Sequence, residues 1–523
     1  MKFRSPVVLH PFLLAAYSVL SLYAHNVGEL TLAEAAPLAG GVIAGALALY
    51  GLAWLAFRDG RKAGLVTTVL LLFGLFYGNL FSALEELLQP GSQIAVFFAM
   101  ALGFGLLTVV LMRKSTRLQN ATAVLNAMTL VLVFIPLINV LSHEALASFR
   151  PATEVGPLQP ANDDAVAVAT AARKPNVFFL IFDRYAASRT LRDYYAFDNR
   201  GIENYLRAKG FYVATESSAN YLKTAHSLAG TFHMDYINFL SQQAGSGSQD
   251  WTLTYRMLGK HRVLSTFKKL GYRYIHLGSW WEPTRSHDLA DENYNTDSVS
   301  ELTRVFASGT IKPFFTEAVW PVLGLGSAHE GPVGGLWQSQ CTRVPYTFDQ
   351  LKKLAARTDP VFVFAHILIP HPPFLFDENG RCKSEKESAQ YSLAENYVAQ
   401  VKYANKLMRE LIETLLASAE DPIIIIQADE GPFPLRYYQQ IEKDWRNASE
   451  AELQIKFRIL NAMYLPGVDH SKFYNTMSPV NTFRLVFDEY FGANLPLLED
   501  RSYAIIDGYN HVYDFFEVTD TVR

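Results

Sequence analysis

Five long apolar runs occupy the first 142 residues: Val7 to Ala24, Leu38 to Phe57, Ala63 to Phe81, Ile94 to Met112 and Thr122 to Leu141. Each approaches the ~20 residues that an α-helix needs to cross ~30 Å of hydrocarbon. The alternative, a cleaved signal peptide followed by buried core helices, is the lesser reading even for the first run alone. With four more behind it, a membrane domain of five spans over residues 1–142 is the expectation. This concentration explains an apolar share of 50% in a chain whose 46 basic and 50 acidic residues nearly balance.

The loops set an orientation. Lys2 and Arg4 precede the first run, Arg58, Arg61 and Lys62 separate the second from the third, and Arg113, Lys114 and Arg117 separate the fourth from the fifth. The other two loops carry neither Lys nor Arg. Positive charge favours the cytoplasmic side, which predicts a cytoplasmic N-terminus in a bacterial inner membrane and a periplasmic or extracellular C-terminal domain. Residues 143–173, rich in Ala, Pro and Asp, read as a linker, part of which suits a helix on the membrane surface. Residues 174–523 suffice for one large domain. Its two cysteines, Cys341 and Cys382, are expected to form a disulfide in an oxidising compartment, free thiols being the alternative. A net charge of −4 argues against a nucleic-acid partner.

Beyond the linker, short apolar strands alternate with amphipathic helices, which predicts an α/β layered domain with a mostly parallel sheet. In such folds ligands sit at the carboxyl ends of the strands. The unusual polar residues fall there: Asp183 ends "NVFFLIFD", His366 and His371 lie in and after "PVFVFAHILI", and Asp429 with Glu430 follows "PIIIIQ". Acids at the tip of a strand buried on both faces need a compensating charge, and a divalent cation supplies one. An all-oxygen set of Asp183, Asp429 and Glu430 suits Mg²⁺, Mn²⁺ or Ca²⁺, and the nearby histidines keep Zn²⁺ open. Trp280 and Trp281 follow another strand and suit either a head-group pocket or packing.

The strand-ending Asp183, the stretch "YLKTAHS", the turn "IPHPPF" and the strand ending "QADEG" together resemble the sulfatase-like branch of the alkaline phosphatase superfamily. The whole layout is similar to its membrane-anchored members, the lipid A phosphoethanolamine transferases and lipoteichoic acid synthases. The resemblance implies an alkaline phosphatase-like α/β/α sandwich with one divalent metal held by Asp183, Thr224, Asp429 and Glu430. It makes Thr224 the nucleophile and sets Ser227 at the following +3 position. His371 would contact the transferred phosphate, and His366, His226, Trp280 and Trp281 would lie on the substrate side. One departure stands out: Glu430 occupies the place where the transferases carry His.

The function expected on this basis is a metal-dependent transferase. It would move a phosphoethanolamine or phosphoglycerol head group from a membrane phospholipid donor to an envelope glycan or lipid acceptor, through a phospho-threonine. A sulfate- or phosphate-ester hydrolase of the same fold is the enzyme alternative, although "TAHSL" lacks the Cys or Ser that sulfatases convert to formylglycine. A non-catalytic glycan-binding or scaffold protein with a degenerate metal site is the third reading, kept open by Glu430.

Overall fold

The computed structural model describes residues 7–85, 93–113, 115–149, 164–169, 174–245, 247–296, 299–312, 314–315, 336–418 and 421–523. The chain forms two compact units, one of Met1–Pro151 with Val299–Gly335 and the other of Ala152–Ser298 with Leu336–Arg523.

The first unit contains helices α1 (His10–His25), α2 (Leu32–Phe57), α3 (Gly60–Glu85), α4 (Gln93–Met112) and α5 (Ser115–Phe149). Among the described residues four helices are long and apolar enough to cross a membrane, Leu32–Phe57, Gly60–Leu84, Ile94–Met112 and Arg117–Ser142. The expected count of five is therefore corrected to four. The first apolar run does become a helix, but α1 has only 16 residues, about 24 Å at ~1.5 Å per residue. It opens with a proline in its first turn and stops at His25. Instead of presenting an apolar surface it is an inner helix: Leu14 and Ala15 pack with Ala46 of α2 and Leu71 of α3. Leu52, Leu102 and Ile135 of the longer helices, by contrast, stay exposed.

The later segment Val299–Gly335 belongs to this unit. Phe314 stacks on Phe97 with ring centres 4.2 Å apart, and Leu302 packs with Tyr23 and Val140. Gly78 allows the close approach, since a Cβ there would lie 2.5 Å from the Ser308 carbonyl oxygen.

In the second unit the sheet strands are β1 (Val177–Phe182), β2 (Tyr212–Val213), β3 (Arg273–Leu277), β4 (Glu292–Tyr294), β5 (Val361–Ile367), β6 (Ile423–Gln427) and β7 (Asn461–Tyr464). They form one seven-stranded sheet in the order β2-β7-β6-β1-β5-β3-β4. All pairings are parallel except those of β7 with β2 and with β6. The centre, β6-β1-β5, is buried at every residue, which is why these strands read as unbroken apolar runs rather than alternating ones. Helices cover the sheet, among them Leu393–Leu416 and the largely buried Thr482–Phe491. A hairpin of β8 (Tyr503–Asp507) and β9 (His511–Glu517) stands apart from the sheet. Part of the predicted linker is ordered: α5 runs on to Phe149, and Val166 is buried in the core of the second unit, its N–H donating to Thr266 Oγ1. Residues 150–163 and 170–173 of that linker lie outside the described residues. Cys341 and Cys382 are joined by a disulfide, with Cα atoms 5.9 Å apart.

Candidate active site

Three neighbouring parallel strands deliver the site. Asp183 follows β1, His366 is the penultimate residue of β5 and Asp429 lies two residues past β6, so all three collect at the carboxyl edge of the sheet. One ligand-capable atom from each falls within 4.8 Å of the other two. His366 Nε2 is 3.4 Å from Asp183 Oδ2. Among the described residues Asp183 Oδ1, Asp429 Oδ2 and His366 Nε2 are buried yet make no hydrogen bond. Buried polar atoms ordinarily find partners, and these orphaned ones, with Glu430 Oε2 equally buried and unbonded, leave a donor set that fits a divalent cation.

The charges agree. Burial, reinforced by the negative charges of Asp183 and Glu430, pushes the Asp429 carboxyl well above the usual carboxylate range. Asp183 is held low in spite of its burial, by His371, His366 and Arg184. Two buried carboxylates this close cannot both ionise without a cation between them.

Thr224 is the first residue of the helix Thr224–His233, which begins after an extended Lys223. Its hydroxyl lies beside the Asp429 carboxyl and favours the ionised form of that group. The nucleophile predicted from "YLKTAHS" therefore touches the acidic centre at the positive end of a helix.

Glu430 is not part of this cluster. Its Oε1 lies 2.7 Å from Lys456 Nζ and 3.0 Å from Arg184 Nε. One oxygen of the expected ligand is thus engaged in a buried ion pair while its Oε2 makes no hydrogen bond among the described residues, and His366, expected on the substrate side, stands in the acidic cluster. The glycine after it is required by packing: a Cβ at Gly431 would sit 2.3 Å from the Ile455 carbonyl oxygen, and the Gly431 N–H donates to the Lys456 carbonyl at 2.7 Å. Arg184 reaches Glu430 from a left-handed backbone conformation, φ 63°, and its own N–H donates to Asp429 Oδ1 at 3.3 Å. A non-glycine residue held there is typical of functional turns.

His371 is partly buried in a turn with cis bonds at Ile369–Pro370 and Pro372–Pro373, and its Nδ1 faces the Pro372 carbonyl oxygen. Burial and the Arg184 charge lower its pKa to about 3, so the ring is neutral. Trp280 meets His371 edge-on at 5.9 Å between ring centres, and Trp281 meets His366 in the same way at 5.9 Å. The paired indoles therefore wall the two histidines. His366 Nδ1 lies 2.8 Å from Thr284 Oγ1, which in turn is 2.8 Å from Ser279 Oγ.

Two predicted substrate residues turn away. His226 is fully buried, stacked on Trp251 at 4.7 Å and edge-on to Phe515. The Ser227 hydroxyl is buried and donates to the Tyr221 carbonyl. On a helix whose first residue faces the site, the residue two further on points into the core behind it, whereas Ser227 shares the face of Thr224 and is held by its bond to the chain before the helix.

Sequence reasoning missed Lys456, Arg184 and Thr284. Arg184 carried a signal, a charge directly after a strand-ending acid. Lys456 sits on an ordinary amphipathic stretch, and its burial comes only from the fold.

No curated protein matches the chain. Among solved structures, the periplasmic domain of EcEptC from Escherichia coli aligns with a TM-score of 0.43 at 11% identity, covering 68% of this chain and 95% of that one. The integral membrane lipooligosaccharide phosphoethanolamine transferase A of Neisseria meningitidis aligns with a TM-score of 0.41 at 13% identity, covering 97% of each chain. The lipoteichoic acid synthase LtaP of Listeria monocytogenes aligns with a TM-score of 0.39 at 16% identity, covering 68% of this chain and 81% of that one. The family model Sulfatase matches residues 175–457, more than half of the sequence and every residue of the site just described, and the chain belongs to the sulfatase family.

Proposed function

We propose that the protein is a metal-dependent transferase that moves a phospholipid head group, phosphoethanolamine or phosphoglycerol, to an envelope glycan or lipid. The observation that carries this reading is the pair of buried carboxylates Asp183 and Asp429 gathered with His366 at the strand ends, with Thr224 opening a helix beside Asp429. Asp183, Asp429 and His366, with the Thr224 hydroxyl, would hold the cation, and this mixed oxygen and nitrogen set favours Zn²⁺ or Mn²⁺ over Mg²⁺ or Ca²⁺. When bound, the cation lowers the pKa of the hydroxyl and neutralises phosphoryl oxygens.

Thr224 Oγ1 attacks the phosphodiester in line. The Oγ1–P bond forms, the P–O bond to the glyceride breaks, and the glyceride oxygen takes up a proton to leave as diacylglycerol. The threonine proton passes to the neighbouring Asp429 carboxylate. In the second half the acceptor hydroxyl attacks the phospho-threonine, the Oγ1–P bond breaks and Thr224 regains a proton. His371, neutral and with Nδ1 donating to Pro372, presents Nε2 as a proton acceptor. It would accept a hydrogen bond from the acceptor hydroxyl and orient it towards phosphorus, the hydroxyl proton passing to the leaving Thr224 oxygen. The Trp280 indole N–H, buried and without a hydrogen bond among the described residues, is available to a phosphoryl oxygen.

The apolar helices favour a lipid donor over a soluble ester, since they hold the chain in the bilayer where such a donor lies. With four spans the C-terminal unit keeps its expected side, but the start of α2 then lies on that same side, so the expected cytoplasmic N-terminus is not kept. The cationic loops after α2 and after α4 lie on one side, so α5 starts there and ends on the other, placing the catalytic unit outside the cytoplasm. The test is the peptide mass of protein purified from native membranes. A head-group phosphate adduct on the Thr224 peptide, missing in Thr224→Ala, is expected; wild-type transfer by Thr224→Ala would overturn the mechanism.

A further inference from the structure

The helix Leu393–Leu416 presents one face to two turns that carry site residues. Its start is fixed by a reciprocal cap: the Ser392 hydroxyl accepts from the Glu395 N–H at 3.2 Å, and the Glu395 carboxylate accepts from the Ser392 N–H at 2.8 Å. Tyr397 and Gln400 stand three residues apart on this helix and therefore share a face. Both are buried.

Tyr397 serves the turn after β1. Its hydroxyl donates to the Arg184 carbonyl at 2.8 Å and accepts from the Ala186 N–H at 3.1 Å, so it bridges the two residues that flank Tyr185. Two turns further along the helix, Asn405 accepts from the hydroxyl of Tyr185 itself. Arg184 has a φ of 63°, a conformation that a residue with a side chain keeps only where its surroundings hold it. Arg184 also follows Asp183 directly and donates its N–H to Asp429. The phenol thus holds the backbone that sets Asp183 against Asp429.

Gln400 serves the turn after β5. Three of the seven residues from Pro370 to Phe376 are prolines, and proline has no N–H. A turn so short of donors needs help from outside to pair its buried carbonyls. The Gln400 amide gives that help. Its Nε2 donates to the carbonyls of Pro370 and His371 at 3.2 and 3.1 Å, and its Oε1 accepts from the N–H groups of Leu375 and Phe376 at 2.9 and 3.3 Å. One amide spends its whole hydrogen-bonding capacity on the two limbs of the turn that presents His371.

We propose that Tyr397 and Gln400 are positioning residues: Tyr397 holds the turn that sets Asp183 and Arg184 against Asp429, and Gln400 holds the turn that aims His371. A single helix face thereby keeps the two halves of the site in register. The consequence for transfer rests on the transferase reading above, whereas the positioning itself does not.

The experiment compares Tyr397→Phe, Gln400→Leu and Leu411→Ala, the last a core substitution on the same helix, as full chains in detergent. Hydrogen exchange is read by mass spectrometry, and Mn²⁺ is titrated into chelator-stripped protein. Tyr397→Phe is expected to speed exchange in the peptide containing Ala186 and to weaken Mn²⁺ binding by about tenfold, with the peptide containing Leu375 and Phe376 unchanged. Gln400→Leu is expected to speed exchange only in the Leu375 and Phe376 peptide and to leave Mn²⁺ binding within about twofold of wild type. With His371 misaimed the second half of transfer slows, so the ratio of modified to unmodified Thr224 peptide rises about tenfold. Gln400→Asn, one methylene too short to reach both limbs, is a milder variant with the same expectation. Exchange that fails to separate the two turns, wild-type Mn²⁺ binding by Tyr397→Phe, or a Leu411→Ala protein that reproduces either pattern overturns the proposal. An unchanged Thr224 ratio in Gln400→Leu, where wild type carries the adduct, overturns it as well. A wild type without the adduct refutes the transferase alone, and exchange and Mn²⁺ binding still decide the positioning.

Discussion

Glu430→Gln separates a structural carboxylate from a ligating one. Glu430 Oε1 stands 2.7 Å from Lys456 Nζ, and the two side chains are 1% and 0% exposed. At 2.7 Å and an effective dielectric constant of ~20 the gross attraction is about 6 kcal/mol, most of which offsets the cost of taking two charges out of water. That cost is visible in Lys456, whose pKa burial lowers to about 7 although Glu430 pulls it up. With the carboxylate gone, the ammonium group keeps the Gly431 carbonyl at 3.2 Å as its recorded hydrogen-bond acceptor. The expected loss is about 3–5 kcal/mol, the usual penalty for orphaning one member of a buried pair. Lys456→Met costs less, because Arg184 stays beside Glu430 at 3.0 Å. The double variant Glu430→Gln/Lys456→Met returns to within about 1 kcal/mol of wild type, since a buried pair and an uncharged replacement are commonly close in stability. Guanidinium unfolding of the full chain in detergent reads all four corners of the cycle. Zn²⁺ and Mn²⁺ titrations into chelator-stripped protein supply the second axis, on which Glu430→Gln stays near wild type. A Glu430→Gln protein of unchanged stability whose metal affinity falls about 100-fold would refute the reasoning and return Glu430 to the ligand set.

Asp183→Ala and Asp429→Ala are expected to abolish metal binding and transfer while leaving a folded protein; in the metal-free state Asp429→Asn raises the melting temperature, because it removes one of two repelling buried carboxylates, and no rise would count against that repulsion. Thr284→Val deprives His366 Nδ1 of its 2.8 Å partner and should weaken metal binding by about 10–100-fold, with Thr284→Ser retaining it; equal affinities would make Thr284 a packing residue only. Stability should fall as pH drops from 6.5 towards 3, because His226 and His276 have their pKa values lowered by burial from 6.5 to about 3. In that window the unfolded chain takes up protons that the folded one refuses, which is the sign required for loss on acidification. His226→Phe should flatten part of this acid slope and leave transfer intact, since neither ring nitrogen of His226 has a hydrogen bond among the described residues; loss of transfer would restore His226 to the substrate side.

The fold was legible because its centre is made of strands buried on both faces, and such strands leave unbroken runs like "VFFLIF" and "IIIIQ" that end where ligands bind. Asp183, Thr224 and Asp429 were legible for the same reason, each standing at a strand end or helix start. Glu430 was not, because the sequence places it beside Asp429 without revealing that Lys456, 26 positions on, is folded against it. His226 misled in the opposite direction: its spacing from Thr224 is short, but a helix turns about 100° per residue and carries it to the core face. The span count failed on a similar point, since hydropathy records that the residues of α1 are apolar and not that neighbouring helices surround them.

The return of Val299–Gly335 to the first unit makes the chain cross between its halves three times rather than once. A protease that cuts within residues 152–163 would therefore not free the second unit, because the downstream fragment still owns the segment in which Leu302 and Phe314 are packed against Tyr23, Val140 and Phe97. The two pieces should copurify in mild detergent as a complementing pair. A soluble catalytic fragment made by cutting at the linker alone would carry that segment stripped of its apolar partners, and it should aggregate until residues 299–335 are replaced by a short polar bridge.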